Sequence, residues 1–86
     1  MSTKNMRTED SVPLTLQEHR ELSREMMQTT RRLHAMCDLV VSVYGPQSPA
    51  AFNFLRTMEA FDRLNQEMQT QAVRDLPGYP TNDLYV

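Results

Sequence analysis

Apolar side chains recur at helical spacing in two blocks of this chain, Leu16 to Tyr44 and Pro49 to Leu76, divided by Gly45-Pro46-Gln47-Ser48. In the first block Leu22, Met26, Thr29, Leu33, Met36, Val40 and Val43 follow one another by steps of four and three. This heptad rhythm keeps one side of a helix aimed at a partner helix. In the second block Ala51, Phe54, Met58, Phe61, Asn65, Met68, Ala72 and Leu76 do the same, while Arg56, Arg63, Glu67 and Arg74 face away. Two helices, over about 15–44 and 49–76, are long enough to match and are joined by a short turn. That combination predicts an all-α fold, an antiparallel two-helix hairpin.

The ends of the blocks carry start and stop signals. Thr15-Leu16-Gln17-Glu18 is a capping box, in which the threonine and the glutamate three residues later satisfy each other's free backbone donors. Gly45 accepts the left-handed conformation of a helix end, and Pro46 blocks continuation. Ser48-Pro49 restarts the chain with an N-cap and a proline at the first helical position. Pro77-Gly78 closes the second helix. The hairpin domain thus occupies 14–77. Residues 1–13 are polar, without apolar periodicity, and read as a disordered tail. Residues 78–86, with a further proline at Pro80, read as an extended C-terminal tail.

A lone hairpin of this size buries little surface, and its apolar positions are distributed unevenly. Near the turn Leu39, Val40, Val41, Val43 and Tyr44 spread around the first helix, and Ala51, Phe52, Phe54, Leu55 and Met58 around the second. One partner helix cannot cover so wide a band. These ten residues are the candidate interface, either with a second copy, giving a four-helix bundle, or with another protein. Toward the open end His19, Thr29, Gln66, Gln69 and Gln71 thin the pattern, and looser, wetter packing is expected there. Asn65 stands in the middle of the second stripe. There it either sets the pairing register as a buried amide or lies at a solvated edge.

Composition narrows the function classes. Nine basic and eleven acidic side chains give a formal charge of −2, without the basic excess that attracts nucleic acid. No apolar run approaches the length of a bilayer span, and Met1 to Pro13 lacks the apolar core of a signal peptide, so a cytoplasmic protein is expected. His19 and His34 lie too far apart on one helix to share a metal, and neither has a second ligand at coordinating spacing. The carboxylate pairs Glu21/Glu25 and Glu59/Asp62 read as solvated faces rather than acid/base machinery. Two glycines cannot build a phosphate loop. Cys37 lacks an adjacent base and sits among apolar residues, which suits a small buried hydrophobe. Arg20, Arg24, Arg31 and Arg32 form a band interrupted by Glu18, Glu21, Glu25 and Asp38, again a solvated face. No catalytic residue, metal or cofactor is expected. The seven methionines read as adaptable core filler.

Tyr79, Leu84, Tyr85 and Val86 give the C-terminal tail an aromatic and apolar character. Such an end suits capture of its terminal carboxylate by a partner, or folding back over the exposed seam. The aromatic-glycine turn Tyr44-Gly45, with Tyr79 and Asp83 in a Tyr-x-x-x-Asp spacing after the second helix, resembles the leaderless secreted helical hairpins of the WXG100 family. This chain has no tryptophan at the turn. The resemblance implies export as a folded dimer with the tail read by the secretion machinery. Three functions therefore stand as expectations: a non-enzymatic interaction module forming a homodimer, a secreted hairpin of that kind, and an all-helical enzyme with its site between subunits.

Overall fold

The protein's structure, a computed structural model, describes residues 12–86. Two helices, α1 (Leu16–Tyr44) and α2 (Pro49–Asp75), pack against each other as an antiparallel hairpin, with no strand among the described residues. Among the same residues no helix is long and apolar enough to cross a membrane. Most of the expected N-terminal tail lies outside the described residues; its last two, Val12 and Pro13, are exposed coil.

The local signals act as the residues dictate. The Glu18 amide donates to Thr15 Oγ1 at 3.1 Å, and the Thr15 amide donates back to Glu18 Oε1 at 3.0 Å. At the turn Gly45 has φ 91° and ψ 157°, a region beyond the left-handed helix value and open in practice only to glycine. Its N–H still caps the Val41 carbonyl at 2.9 Å. The Ser48 hydroxyl donates to the Gly45 carbonyl at 3.0 Å and accepts from the Ala51 amide at 3.2 Å, so one side chain links the two helix ends. Helix α2 stops at Asp75, one residue before the expected end, and Leu76 serves as its cap.

The expected α2 stripe faces inward in full. Ala51, Ala72 and Leu76 are buried, and Phe54, Met58, Phe61, Asn65 and Met68 are half-buried. Helix α1 corrects its expected stripe by part of a turn. Met26 is buried, and Thr29, Leu33 and Val40 are half-buried as expected, but His19, Ser23 and Cys37 are buried and Thr30 half-buried beside them in place of Leu22, Met36 and Val43. Leu22, Met36 and Val43 are exposed. Packing volume explains the rotation: α2 brings aromatic and methionine side chains to the seam, and small partners on α1 let the helices approach.

The core sits at the open end, opposite to expectation. Met26, Ala72, Leu76, Leu84 and Tyr85 form its buried cluster, with Leu16, Phe61 and Met68 packed against it. Residues 78–86 do not run out extended; they turn back across the mouth of the hairpin as a strap. Ser23 and Ala72 are too small to fill the space between the helices there, and Leu84 and Tyr85 supply the missing volume. At the turn end only Cys37 and Ala51 are buried.

Replacing Gly45 by alanine puts a Cβ on a backbone that L residues avoid, although no neighbouring atom lies within 4 Å of it. Urea unfolding should show a loss of about 1–3 kcal/mol with an unchanged m-value.

Candidate functional site

The most organised group of polar side chains lies in the core at the open end. His19, on the first turns of α1, is fully buried. The hairpin brings Asp75, the last residue of α2, against one side of its ring, with Nε2 to Asp75 Oδ2 at 2.9 Å. The strap brings Tyr85 against the other, with Nδ1 to the phenol oxygen at 2.8 Å and the two rings meeting edge to face at 87°. The Tyr85 amide donates to Ser23 Oγ at 2.8 Å, and the Leu84 amide closes a turn onto the Thr81 carbonyl at 3.1 Å. Tyr85 is held at φ 58°, a left-handed value that costs a bulky residue on the order of 1–2 kcal/mol. Such strain persists where the surroundings over-determine it. Here they do, because Ser23 holds the backbone amide while His19 meets both the ring and the hydroxyl.

Proton positions follow from the partners. Burial pushes the Asp75 carboxyl up, but hydrogen bonds from His19 and Gln71, the charge interaction with His19 and the Leu14 amide outweigh it, leaving the group below its ordinary 3.8. An ionised carboxylate only accepts, so Nε2 carries a hydrogen toward Asp75, and Nδ1 and the Tyr85 hydroxyl share the second hydrogen bond. Burial, reinforced by the nearby Asp75 charge, raises Tyr85 above 10.0 and keeps it a donor. Gln71 Nε2 completes the set at 2.9 Å from Asp75 Oδ1.

This arrangement resembles a catalytic triad in composition and differs in access. Both imidazole nitrogens are occupied within the protein, and the shallow groove nearby, about 430 Å³ and lined by Thr15, Leu16, Asp75, Leu76, Pro77 and Tyr79, does not include the ring. A substrate proton or a metal ion has no free nitrogen to meet, and the group acts as a clasp that ties both helices to the strap. In sequence His19 stands out only as a metal-ligand candidate and as part of the polar open end. Its partner in the strap lies 66 positions away, and no local pattern announces that pairing.

The ten expected interface residues divide. Ala51 is fully buried; Val40, Val41, Phe54 and Met58 are half-buried; Leu39, Val43, Tyr44, Phe52 and Leu55 are exposed. The Arg56 guanidinium lies 5.7 Å from the centre of the Phe52 ring and covers part of it. Asn65 donates from Nδ2 to the Phe61 carbonyl of its own helix at 3.1 Å. Of the four tail residues, Leu84 and Tyr85 are buried and unavailable to a partner, whereas Tyr79 and Val86 are exposed. Asp83 is exposed as well. Among the described residues no three His, Cys, Asp or Glu side chains group as metal ligands. No protein family, curated protein or solved structure matches this chain.

Tyr85→Phe leaves His19 Nδ1 buried without a hydrogen-bond partner and should cost about 1–3 kcal/mol. The folded chain holds the Tyr85 proton more tightly than the unfolded chain, so stability should fall as pH rises above 10.0, and that part of the loss should vanish in the Tyr85→Phe variant. Asp75 works in the other direction. It contributes stability above 3.8 that is lost as pH falls through its lower folded value, and Asp75→Asn should flatten that acid limb in thermal melts recorded against pH.

Proposed function

We propose that this chain is a non-enzymatic interaction module, a helical hairpin that pairs with a second copy of itself into a four-helix bundle. The observation that carries the reading is the set of apolar side chains left in water by the folded chain: Leu39, Val43, Tyr44, Phe52 and Leu55 around the turn, with Met36 and Leu64 further along. Monomeric domains rarely leave so many large apolar side chains in water without a partner for some of them. A hairpin is a single layer of helices, and stable domains stack two. Covering each large side chain is worth about 1.5–3 kcal/mol, enough in sum to offset the cost of association.

The occupied nitrogens of His19 support a structural role for that cluster over a chemical one. Burial of the lone free thiol, Cys37, suits a reducing compartment, and a cytoplasmic setting belongs to the same proposal. The bundle would serve as an adaptor, regulator or assembly element.

Sedimentation equilibrium at micromolar concentration should give twice the 10.0 kDa chain mass. Val43→Glu, which alters an exposed residue, should weaken the dimer at least about tenfold without loss of helicity. A stable folded monomer across the accessible concentration range would remove the proposal.

A further inference from the structure

The seam divides the surface of the hairpin into two long faces that differ in chemistry. On α1 the residues just before Ser23, Thr30, Cys37 and Tyr44 are Leu22, Thr29, Met36 and Val43. Helix α2 runs the other way, so the residues just before its own seam positions, Ala50, Thr57, Leu64 and Gln71, fall on the same side. None of these eight residues is charged; Glu18 and Glu25, in line with Met36 and Val43 on α1, put two acidic groups at the edge of that side. The opposite side carries Arg20, His34 and Asp62, and the last two line one groove beside the seam.

The strap also distinguishes the faces. In the open half Met27 and Gln69 are half-buried on the charged side; on the uncharged side Thr29 is half-buried and Leu22 and Gln71 are exposed. Leu16, one turn before Arg20 on the charged side, packs against the cluster that contains Leu84 and Tyr85 of the strap. Near the turn Phe52, on the outer side of α2 opposite the seam residue Phe61, has its ring partly covered by Arg56. The uncharged side has no such cover among the described residues, and Met36, Val43 and Leu64 stay 46%, 62% and 42% exposed.

We infer that a second copy of this chain docks on the uncharged face, related by a two-fold axis along the hairpin so that both turns lie at one end. This rests on the self-association proposed above and specifies its geometry. Helices of about 40 Å and a width of two helix diameters give roughly 800 Å² per copy, the area of a standard stable interface. The two-fold sets each α1 over the partner's α2 at matching height. Heights follow from Gly45 beside Ser48 at the turn and His19 beside Asp75 at the open end. Val43 then meets the partner's Ala50, Met36 the partner's Thr57, and Thr29 the partner's Leu64, a larger residue against a smaller one at each level. Reversing one copy instead sets the bulkier α1 row against itself and the smaller α2 row against itself. The cost of the chosen arrangement is at the rim, where Glu25 and the partner's Glu67 share a height.

That cost supplies the discriminating test. Sedimentation equilibrium of the full chain, with helicity followed by circular dichroism, should show Met36→Glu and Thr57→Glu each weakening the dimer at least about tenfold. Leu55→Glu, on the charged side, should leave the dissociation constant within about threefold. Glu67→Lys should tighten the dimer about threefold by giving Glu25 an opposite charge, an effect reversed in the double variant Glu25→Lys/Glu67→Lys. Thr57 is exposed and polar, so its variant keeps the test valid if Met36→Glu fails to fold. Dissociation by Leu55→Glu with Met36→Glu and Thr57→Glu still dimeric would overturn the face while leaving self-association standing. No gain from Glu67→Lys would overturn the parallel arrangement, and a monomeric wild-type chain would overturn both proposals.

Discussion

Both ring nitrogens of one fully buried histidine are satisfied by residues from the far end of the chain, and the rest of the structure depends on that constraint. A buried imidazole lacking either partner would leave a polar atom desolvated at a cost comparable to a sizeable part of a small domain's stability. His19 therefore fixes the end of α2 through Asp75 and the path of the strap through Tyr85. With those positions set, Leu84 and Tyr85 fill the hollow beside Ser23 and Ala72, and the open end becomes the best-packed region of the hairpin. The turn end, with only Cys37 and Ala51 buried, is left with more apolar surface than it covers.

The elements themselves were legible because their causes are local. The Thr15/Glu18 box, Gly45, Ser48-Pro49 and the α2 stripe each act within a few residues, and each marks what the structure contains. The α1 stripe was only half legible. Met26, Leu33 and Val40 belong to two overlapping heptad rows, one shared with Leu22, Met36 and Val43 and the other with Ser23, Thr30 and Cys37. Hydropathy selects the first row and steric fit to Phe54, Met58 and Phe61 the second. Fit prevails because a seam of small residues lets two helices approach, and no single-helix pattern contains that information. The clasp was not legible, since Tyr85 stands 66 residues from the histidine that gives it a role, and polarity near the termini suggested loose packing where buried hydrogen bonds are made.

Those displaced bulky residues link fold to function. Leu22, Met36 and Val43 are apolar without being core, and their row continues across the turn in Ala50, Thr57 and Leu64. A chain that selects small side chains for its internal seam and keeps larger ones outside has separated two tasks, holding its own helices together and presenting a surface.

The clasp also acts on the alignment of the helices. A heptad stripe tolerates a slip of seven residues, since apolar positions fall on apolar positions again, but such a slip carries Asp75 about 10 Å along the axis from His19. A slip of one turn already moves it about 5 Å, beyond hydrogen-bond reach. The repeating seam supplies attraction at several settings. The single His19–Asp75 contact acts as a vernier that admits one of them, and Tyr85 can close over the histidine only when that setting has been found.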